Sequence, residues 1–346
     1  MRQLPQFAIL GSGSIGTLIG AHLANAGYPV IFVGRERFQK EIELFGLSIS
    51  DLKGRTFAIA PNQVRYVTDV KDTKGSDIFL VTVKSKDTEE IGDSLSKLLH
   101  SDSPNQSSIV VSFQNGIRNK EILQKHLQHM PDRVLAGMVP FNVVSKGKGQ
   151  YHRGTSGNLL VENNKYGREI AKHLNAAQLG AGTNSNMNGV LWGKLLFNLN
   201  NSLNALSGIP LRQELSEKGF RMIFAEMISE GLRVLKHAGI RPARAGKLIP
   251  TLAPFVLNLP DWLFFRVASG MVKIDPEARS SMWEDLIQGR STEIRNLNGE
   301  ILDLAKTLGV EAPINATVVQ LIEEAEQNPK SLNYSADELK RKIGLN

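Results

Sequence analysis

The sequence predicts an α/β N-terminal domain followed by an all-α C-terminal domain. Three observations carry that expectation. The first half alternates short apolar runs with amphipathic stretches, a glycine-rich turn joins the first run to the first stretch, and after about Thr183 long helical periodicities take over.

Taken in order, 7–10, 30–33, 78–83 and 109–113 read as buried strands, with helix-like stretches at 15–26 and 88–99. Strand–helix alternation of this kind implies a mainly parallel sheet covered on both faces. Gly147, Gly149, Gly154 and Gly157 mark the turns of a hairpin-like region, and 158–161 reads as a further strand. The polar turn at 182–185 places the boundary, giving domains 1–183 and 184–346. Helical periodicity then runs over 190–206, 218–238, 280–308 and 316–327. The apolar segment 250–265, punctuated by prolines, reads as helical pieces lining a groove or a subunit contact. Trp192, Trp262 and Trp283 are expected in the core or at an interface.

A chain of 346 residues is long enough for two sizeable cores, and 41% hydrophobic with 22% charged residues is ordinary for a globular protein. No run of 18 apolar residues occurs, so no membrane span is expected. The first residues lack the pattern of an export signal, which makes the cytoplasm the default compartment. Absence of cysteine excludes disulfides and thiolate metal sites. The net charge of +7 is scattered, and its densest cluster, at 340–342, has acidic neighbours. No nucleic-acid surface is expected; the charge suits an anionic cofactor and a small acidic substrate. His126 and His129 have no carboxylate at metal-ligand spacing, and no metal site is expected.

The turn Gly11-Ser12-Gly13-Ser14-Ile15-Gly16 follows the first strand directly and opens a helix. That is the dinucleotide-binding pattern of a Rossmann-type domain: the first glycine makes the turn, the second admits the pyrophosphate, and the third packs helix on strand. The second strand ends in Gly34-Arg35 rather than an acidic residue. A guanidinium there suits a 2′-phosphate, so NADP(H) is the expected cofactor; Glu36 next door argues the other way. Arg37 is expected to be a surface residue. The third and fourth strands run into Lys84 and into Asn115-Gly116. Lys84 would bind an anion or face solvent, and Asn115-Gly116 is also a favoured turn pair. In the second half, Leu191 to Asn204 reads as one helix whose polar stripe holds Lys194, Asn198 and Asn201, with Ser202 beside them. Asparagine is a poor helix former, so the stripe looks suited to holding a ligand by hydrogen bonds.

These pieces together resemble the ketopantoate reductase (2-dehydropantoate 2-reductase) family. The resemblance runs through G-S-G-S-I-G at 11–16, G-R at 34–35, V-K at 83–84, Q-N-G at 114–116, W-G-K-L-L-F-N at 192–198, S-S-M at 280–282 and T-E-I with N-G at 292–299. It implies Lys194 as the catalytic lysine, Asn198 and Ser281 as substrate contacts, and Asn115 touching both cofactor and substrate. It further implies Lys84 beside the nicotinamide, Val143 as a backbone contact to the cofactor, and Glu293 near the cofactor, where it would orient Lys194 or bond the nucleotide. Asn201 matches the second asparagine of the family's helix across a one-residue gap, and Arg295-Asn296 replaces the Asp-Tyr of many members. The implied reaction is NADPH-dependent reduction of a small-molecule 2-oxo acid, 2-dehydropantoate giving (R)-pantoate, with Lys194 as general acid and the substrate lying between the domains. Two alternatives stand beside it: reduction of a more apolar keto substrate, and a non-catalytic NADP-binding sensor. The long helical second domain is compatible with a homodimer.

Overall fold

The computed structural model describes residues 4–100, 107–244, 249–268, 277–328 and 332–345. The chain divides into two compact units, Met1–Met187 and Asn188–Asn346.

The first unit is a Rossmann-type α/β domain. Its elements run β1 (Phe7–Leu10), α1 (Ser14–Asn25), β2 (Val30–Val33), α2 (Glu36–Phe45), β3 (Leu47–Asp51), β4 (Thr56–Ile59), β5 (Arg65–Val67), β6 (Ile78–Val81), α3 (Thr88–Leu98) and β7 (Ile109–Ser112). They continue with α4 (Asn119–His126), β8 (Val134–Met138), β9 (Val143–Gly147), β10 (Gln150–Arg153), β11 (Leu159–Glu162), α5 (Lys165–Ala176) and β12 (Ala181–Asn184). The main sheet has the order β12-β11-β8-β7-β6-β1-β2-β5. Its neighbours are parallel except β8 with β11, so the sheet is mixed.

β1 lies at the heart of this sheet, and all four of its residues are buried. Successive side chains of a strand point to opposite faces, so β1 feeds two cores. Phe7 and Ile9 pack with Leu18 and Ile19 of α1 and Ile170 and Leu174 of α5, whereas Ala8 and Leu10 pack with Leu95 of α3 and Leu123 of α4. Burial on both faces is why these strands read as unbroken apolar runs.

A second sheet, β4-β3-β10-β9, contains the hairpin expected around Gly147 and Gly149 as β9–β10, whereas its β3 and β4 strands were not expected from the sequence. Its β3–β4 and β9–β10 pairs are antiparallel hairpins joined through a parallel β3–β10 pairing. Lys148 sits between Gly147 and Gly149 in the β9–β10 turn, all three with positive φ. The sheet adds Leu47, Ile49, Ile59 and Tyr151 to the Phe7 core.

The second unit is helical. It comprises α6 (Met187–Asn198, which starts at the end of the first unit), α7 (Asn200–Ser207), α8 (Leu211–Ser216), α9 (Lys218–His237), α10 (Ala253–Leu257), α11 (Asp261–Val267), α12 (Ser281–Ile287), α13 (Asn298–Leu308), α14 (Pro313–Gln327) and α15 (Ala336–Lys342). Among the described residues no helix is long and apolar enough to cross a membrane.

Several sequence expectations need correction. The strand expected over 78–83 ends at Val81. The single helix expected over 190–206 is two, α6 and α7, parted at Leu199. Ser202 explains the break: its hydroxyl donates to the Leu199 carbonyl at 2.8 Å, a back-bond that competes with the helical ladder. Ser202 is also fully buried, so it does not lie beside the polar stripe. The periodicity over 280–308 is interrupted between α12 and α13 by a short 3-10 turn at Ile294–Asn296. Of the two places expected for Trp262, core or interface, its 71% exposure removes the core. His126 meets a single carboxylate, Glu89, at 2.7 Å, a partner from a different helix rather than one at metal-ligand spacing.

The segment carrying α10 and α11 is held from below by one buried cation. Arg221 of α9 donates to the Leu215, Ser216, Leu257 and Leu259 carbonyls and to Asp261, and its guanidinium lies over the Phe264 ring. A buried guanidinium is tolerated because its N–H fork is satisfied.

Candidate functional site

In the first unit the site is built from the carboxyl ends of β1, β2, β6 and β7. Gly11 has φ +105°, and a Cβ there would lie 2.5 Å from the Val83 nitrogen, so only glycine fits. At Gly16 a Cβ would meet the Gly11 carbonyl at 2.3 Å. Gly13 differs: its φ of −75° is ordinary, and a Cβ there would meet no protein atom within 4 Å. Open space over the second glycine is the shape a bound pyrophosphate requires. The helix's ladder opens with Thr17, whose N–H donates to the Gly13 carbonyl at 2.9 Å. The amides of the first turn before it, from Ser14, Ile15 and Gly16, stand outside that ladder and point at the open space. Ser12 contributes little to it: its N–H and its hydroxyl both donate to the Val33 carbonyl, at 2.9 Å each.

Beyond β2, a Cβ on Gly34 would lie 2.2 Å from the Tyr66 hydroxyl. That hydroxyl donates to the Arg35 carbonyl at 3.4 Å, and burial pushes its pKa up to about 12. Tyr66 thus sits under the Gly34-Arg35 turn. Arg35 is exposed at the start of α2, and among the described residues no carboxylate pairs with it. Glu36 is occupied by Lys40 at 2.8 Å, and Arg37 lies over the Phe38 ring.

The Lys84 and Asn115 turns are tied together by buried hydrogen bonds. Ser85 Oγ and Asn119 Nδ2 both donate to the Asn115 carbonyl at 2.5 Å. Thr88 bridges Asn119 Oδ1 and Gln114 Nε2 at 2.8 Å each, and Gln114 accepts from Ser112 at 2.9 Å. Gly116 has φ +91°, so the Asn-Gly pair is a turn as well as a candidate contact. Val143 opens β9, opposite Arg153 of β10.

In the second unit, Asn188, Leu191, Lys194, Phe197, Asn198 and Asn201 are the less buried positions along α6 and α7, while Val190, Leu195, Leu196 and Leu199 are buried. Next to Lys194, a Cβ on Gly193 would lie 2.0 Å from the Ala243 carbonyl and 3.2 Å from Pro250, so glycine lets Ala243 and Pro250 lie against α6. Burial lowers the Lys194 pKa from 10.5 to about 8, and the negative charge of Glu293 works against that shift. Glu293 stands just before the Ile294–Asn296 turn, where the Thr292 N–H is held by Glu326 at 2.7 Å and Thr292 Oγ1 accepts from the Ile294 N–H. Ser281 is the exposed first residue of α12; the cap is Ser280, whose hydroxyl accepts from the Trp283 N–H at 3.2 Å. Ser280 also donates to the Asn201 carbonyl at 2.9 Å, which brings Asn201 beside Ser281.

The family model for ketopantoate reductase PanE/ApbA matches residues 7–165, and the model for the PanE/ApbA C terminal matches 186–326. The chain belongs to the ketopantoate reductase family. It is therefore placed among oxidoreductases. A 2-dehydropantoate 2-reductase of Archaeoglobus fulgidus is 27% identical over 331 residues, covering 92% of this chain and 97% of that protein. The crystal structure of a PanE/ApbA family ketopantoate reductase from Ralstonia eutropha JMP134 matches with a TM-score of 0.78 at 26% identity, over 94% of this chain and 99% of that one. D-mandelate dehydrogenase, in a ternary structure with NADH and anilino(oxo)acetate, shares the fold with a TM-score of 0.75 at 19% identity, over 94% and 99% of the two chains.

Two groups of residues, one in each unit, escaped the sequence reading. Tyr66 lies on a three-residue strand whose short, mixed pattern gives no periodicity to read. Asn200, Asn204 and Glu214 form a buried polar cluster in the second unit, described below. The sequence grouped the asparagines by type, whereas the fold turns Asn198 and Asn201 outward and Asn200 and Asn204 inward.

Proposed function

We propose that this protein reduces a 2-oxo acid to a 2-hydroxy acid with NADPH, 2-dehydropantoate to (R)-pantoate being the first candidate reaction. The observation that carries the proposal is Lys194: a lysine brought to about pH 8 by burial, with an acidic residue acting on it, on the polar stripe of α6 and α7. NADPH, when bound, supplies the hydride that reaches the ketone carbon. The Gly11–Gly16 turn holds the pyrophosphate on the open space over Gly13 and the first-turn amides of α1. Arg35 pairs with the 2′-phosphate, and Lys84, Asn115 and the Val143 backbone complete the nucleotide subsite.

Lys194 donates a hydrogen bond to the ketone oxygen, stabilises the charge that develops there, and then gives it a proton. A pKa near 8 keeps the group protonated at neutral pH while making it a better acid than an ordinary lysine. Glu293 favours the ammonium form and so keeps the acid loaded. Asn198, Asn201 and Ser281 bond the carboxylate and hydroxyl groups of the substrate, and Asn115 reaches both ligands.

Rates of NADPH and NADH oxidation over a panel of 2-oxo acids, for wild type and Lys194→Ala, test the reading. Turnover that depends on Lys194 supports it; equal turnover in both proteins would remove Lys194 from the chemistry. A second reading, a larger and more apolar 2-oxo acid, draws on the segment that begins at Pro250 against Gly193 and exposes Phe255 and Trp262. The mandelate enzyme's aromatic ligand fits the same idea. Preference in the panel for an aryl over a branched hydroxylated 2-oxo acid would favour it.

A further inference from the structure

Glu214 of α8 is fully buried, and among the described residues no cation pairs with it. Three neutral donors hold its carboxylate instead. Asn200 Nδ2 reaches Oε1 at 2.8 Å, while Asn204 Nδ2 and Ser207 Oγ reach Oε2 at 2.9 and 3.1 Å. Burying an acidic group without a counter-ion costs more than an apolar side chain of the same size would, so the packing of α8 alone does not call for it.

The other side of this cluster leads to the candidate substrate residues. Asn204 turns its Oδ1 to the backbone N–H of Ser280 at 2.8 Å. Ser280 caps α12 and donates its hydroxyl to the Asn201 carbonyl at 2.9 Å. The Leu211 N–H donates to the Ala278 carbonyl at 2.9 Å, and Arg279 Nε to the Gly208 carbonyl at 3.0 Å. A continuous rail therefore runs from Glu214 through Asn204 to Ser280, with Asn201 on one side of its end and Ser281 next along the chain. We propose that Glu214 is a positioning residue, which through Asn204 and Ser280 fixes Asn201 and Ser281 for the carboxylate end of the 2-oxo acid. This rests on the reading above that Asn201 and Ser281 touch the substrate.

The cluster also says which replacement should work. Asn200 Oδ1 is buried and, among the described residues, has no hydrogen-bond partner. A glutamine at 214 keeps one oxygen for Asn204 and Ser207. Its amide group then donates to Asn200 Oδ1 once the Asn200 amide turns over, a rotation that costs little because the two orientations have the same shape. The three contacts to residue 214 are kept in that arrangement, and the Asn200 amide nitrogen takes the place where Oδ1 stood. An alanine leaves the buried Asn200 Nδ2 without its acceptor and takes one of two acceptors from Asn204 Nδ2, which keeps the Ile209 carbonyl at 3.0 Å, and from Ser207, which keeps the Asn204 carbonyl at 3.1 Å.

The test is steady-state kinetics on the full chain, with NADPH and the 2-oxo acid that wild type reduces fastest, for Glu214→Ala, Glu214→Gln, Ser280→Ala, Ser281→Ala and the Glu214→Ala/Ser281→Ala pair. NADPH affinity is measured in parallel by fluorescence. Glu214→Ala is expected to raise KM for the 2-oxo acid at least about tenfold, to change kcat by less than about threefold, and to leave NADPH affinity unaltered. Glu214→Gln stays within about threefold of wild type, and the double variant is no worse than the poorer single one. A folded Glu214→Ala with wild-type KM, effects that multiply in the double variant, or a loss that falls equally on kcat, KM and NADPH affinity would overturn the proposal. Should Glu214→Ala not fold, Ser280→Ala carries the test: KM rises at least about threefold, or the rail does not position the subsite. If Ser281→Ala leaves KM unchanged, the substrate reading fails and this proposal with it. If Ser281→Ala raises KM and Glu214→Ala does not, the substrate reading stands and the proposal alone falls.

Discussion

The pH dependence of the reduction follows from the surroundings of Lys194. With a pKa of about 8, roughly 90% of the group is an ammonium at pH 7 and roughly 10% at pH 9. Only the ammonium can donate the proton, so kcat/KM for reduction is expected to fall about tenfold between those pH values, and about tenfold for each further pH unit. An ordinary lysine at 10.5 would hold the rate level over the same range. Glu293→Gln removes the charge that opposes burial. The ammonium loses support, the pKa drops, and the falling limb moves to lower pH. Lys194→Arg keeps the charge but stays protonated throughout, so the limb disappears at a rate about 100- to 10,000-fold lower. The assay is initial rates of NADPH oxidation from neutral pH to about pH 10, with subsaturating 2-oxo acid. A level profile in wild type, or a limb that moves to higher pH in Glu293→Gln, would refute the reasoning.

Other outcomes concern the two units separately. Arg35→Ala is expected to weaken NADPH binding about 10- to 100-fold, the worth of a charge-assisted pair, while NADH binding stays within about twofold; fluorescence titration of both cofactors checks it. Gly13→Ala should fold with wild-type thermal stability, since its φ is ordinary and the Cβ meets no protein atom, yet lose NADPH affinity about tenfold or more because the methyl enters the pyrophosphate space. Glu214 has its pKa raised from 4.5 to about 7 by burial, against its three donors. A raised folded-state value adds stability below pH 4.5 that is lost as pH rises through about 7, so Glu214→Gln should gain more in Tm at pH 8 than at pH 5.

How much of this was legible in the sequence depended on range. The parallel core announced itself because β1, β2, β6 and β7 are buried on both faces, which leaves unbroken apolar runs. Gly11, Gly13 and Gly16 were legible because their reasons are local: a turn, an open space and a helix start. The second sheet as a whole was not, since β3 and β4 are half-exposed strands of five and four residues, and the β3–β10 pairing that joins them to the other hairpin spans about a hundred residues. The same holds for the helix at Lys194. Periodicity placed Lys194, Asn198 and Asn201 on one face, but Ser202's bond to the Leu199 carbonyl is not a periodic signal, and Asn200 and Asn204 turn inward to Glu214, a residue brought in from another helix. The resemblance implies Ser281 as a substrate contact; the fold gives the helix cap to Ser280 and leaves Ser281 exposed. Nothing in a six-residue helix marks one glutamate as buried.

The central claim is hydride transfer to a 2-oxo acid with Lys194 supplying the proton. The most direct measurement uses NADPH deuterated at the transferring position of the nicotinamide, with 2-dehydropantoate as acceptor and mass spectrometry of the product. The account predicts one deuterium on the carbon bearing the new hydroxyl with wild type, and no labelled product above background with Lys194→Ala. Product lacking the label, or equal labelled product from both proteins, would contradict it.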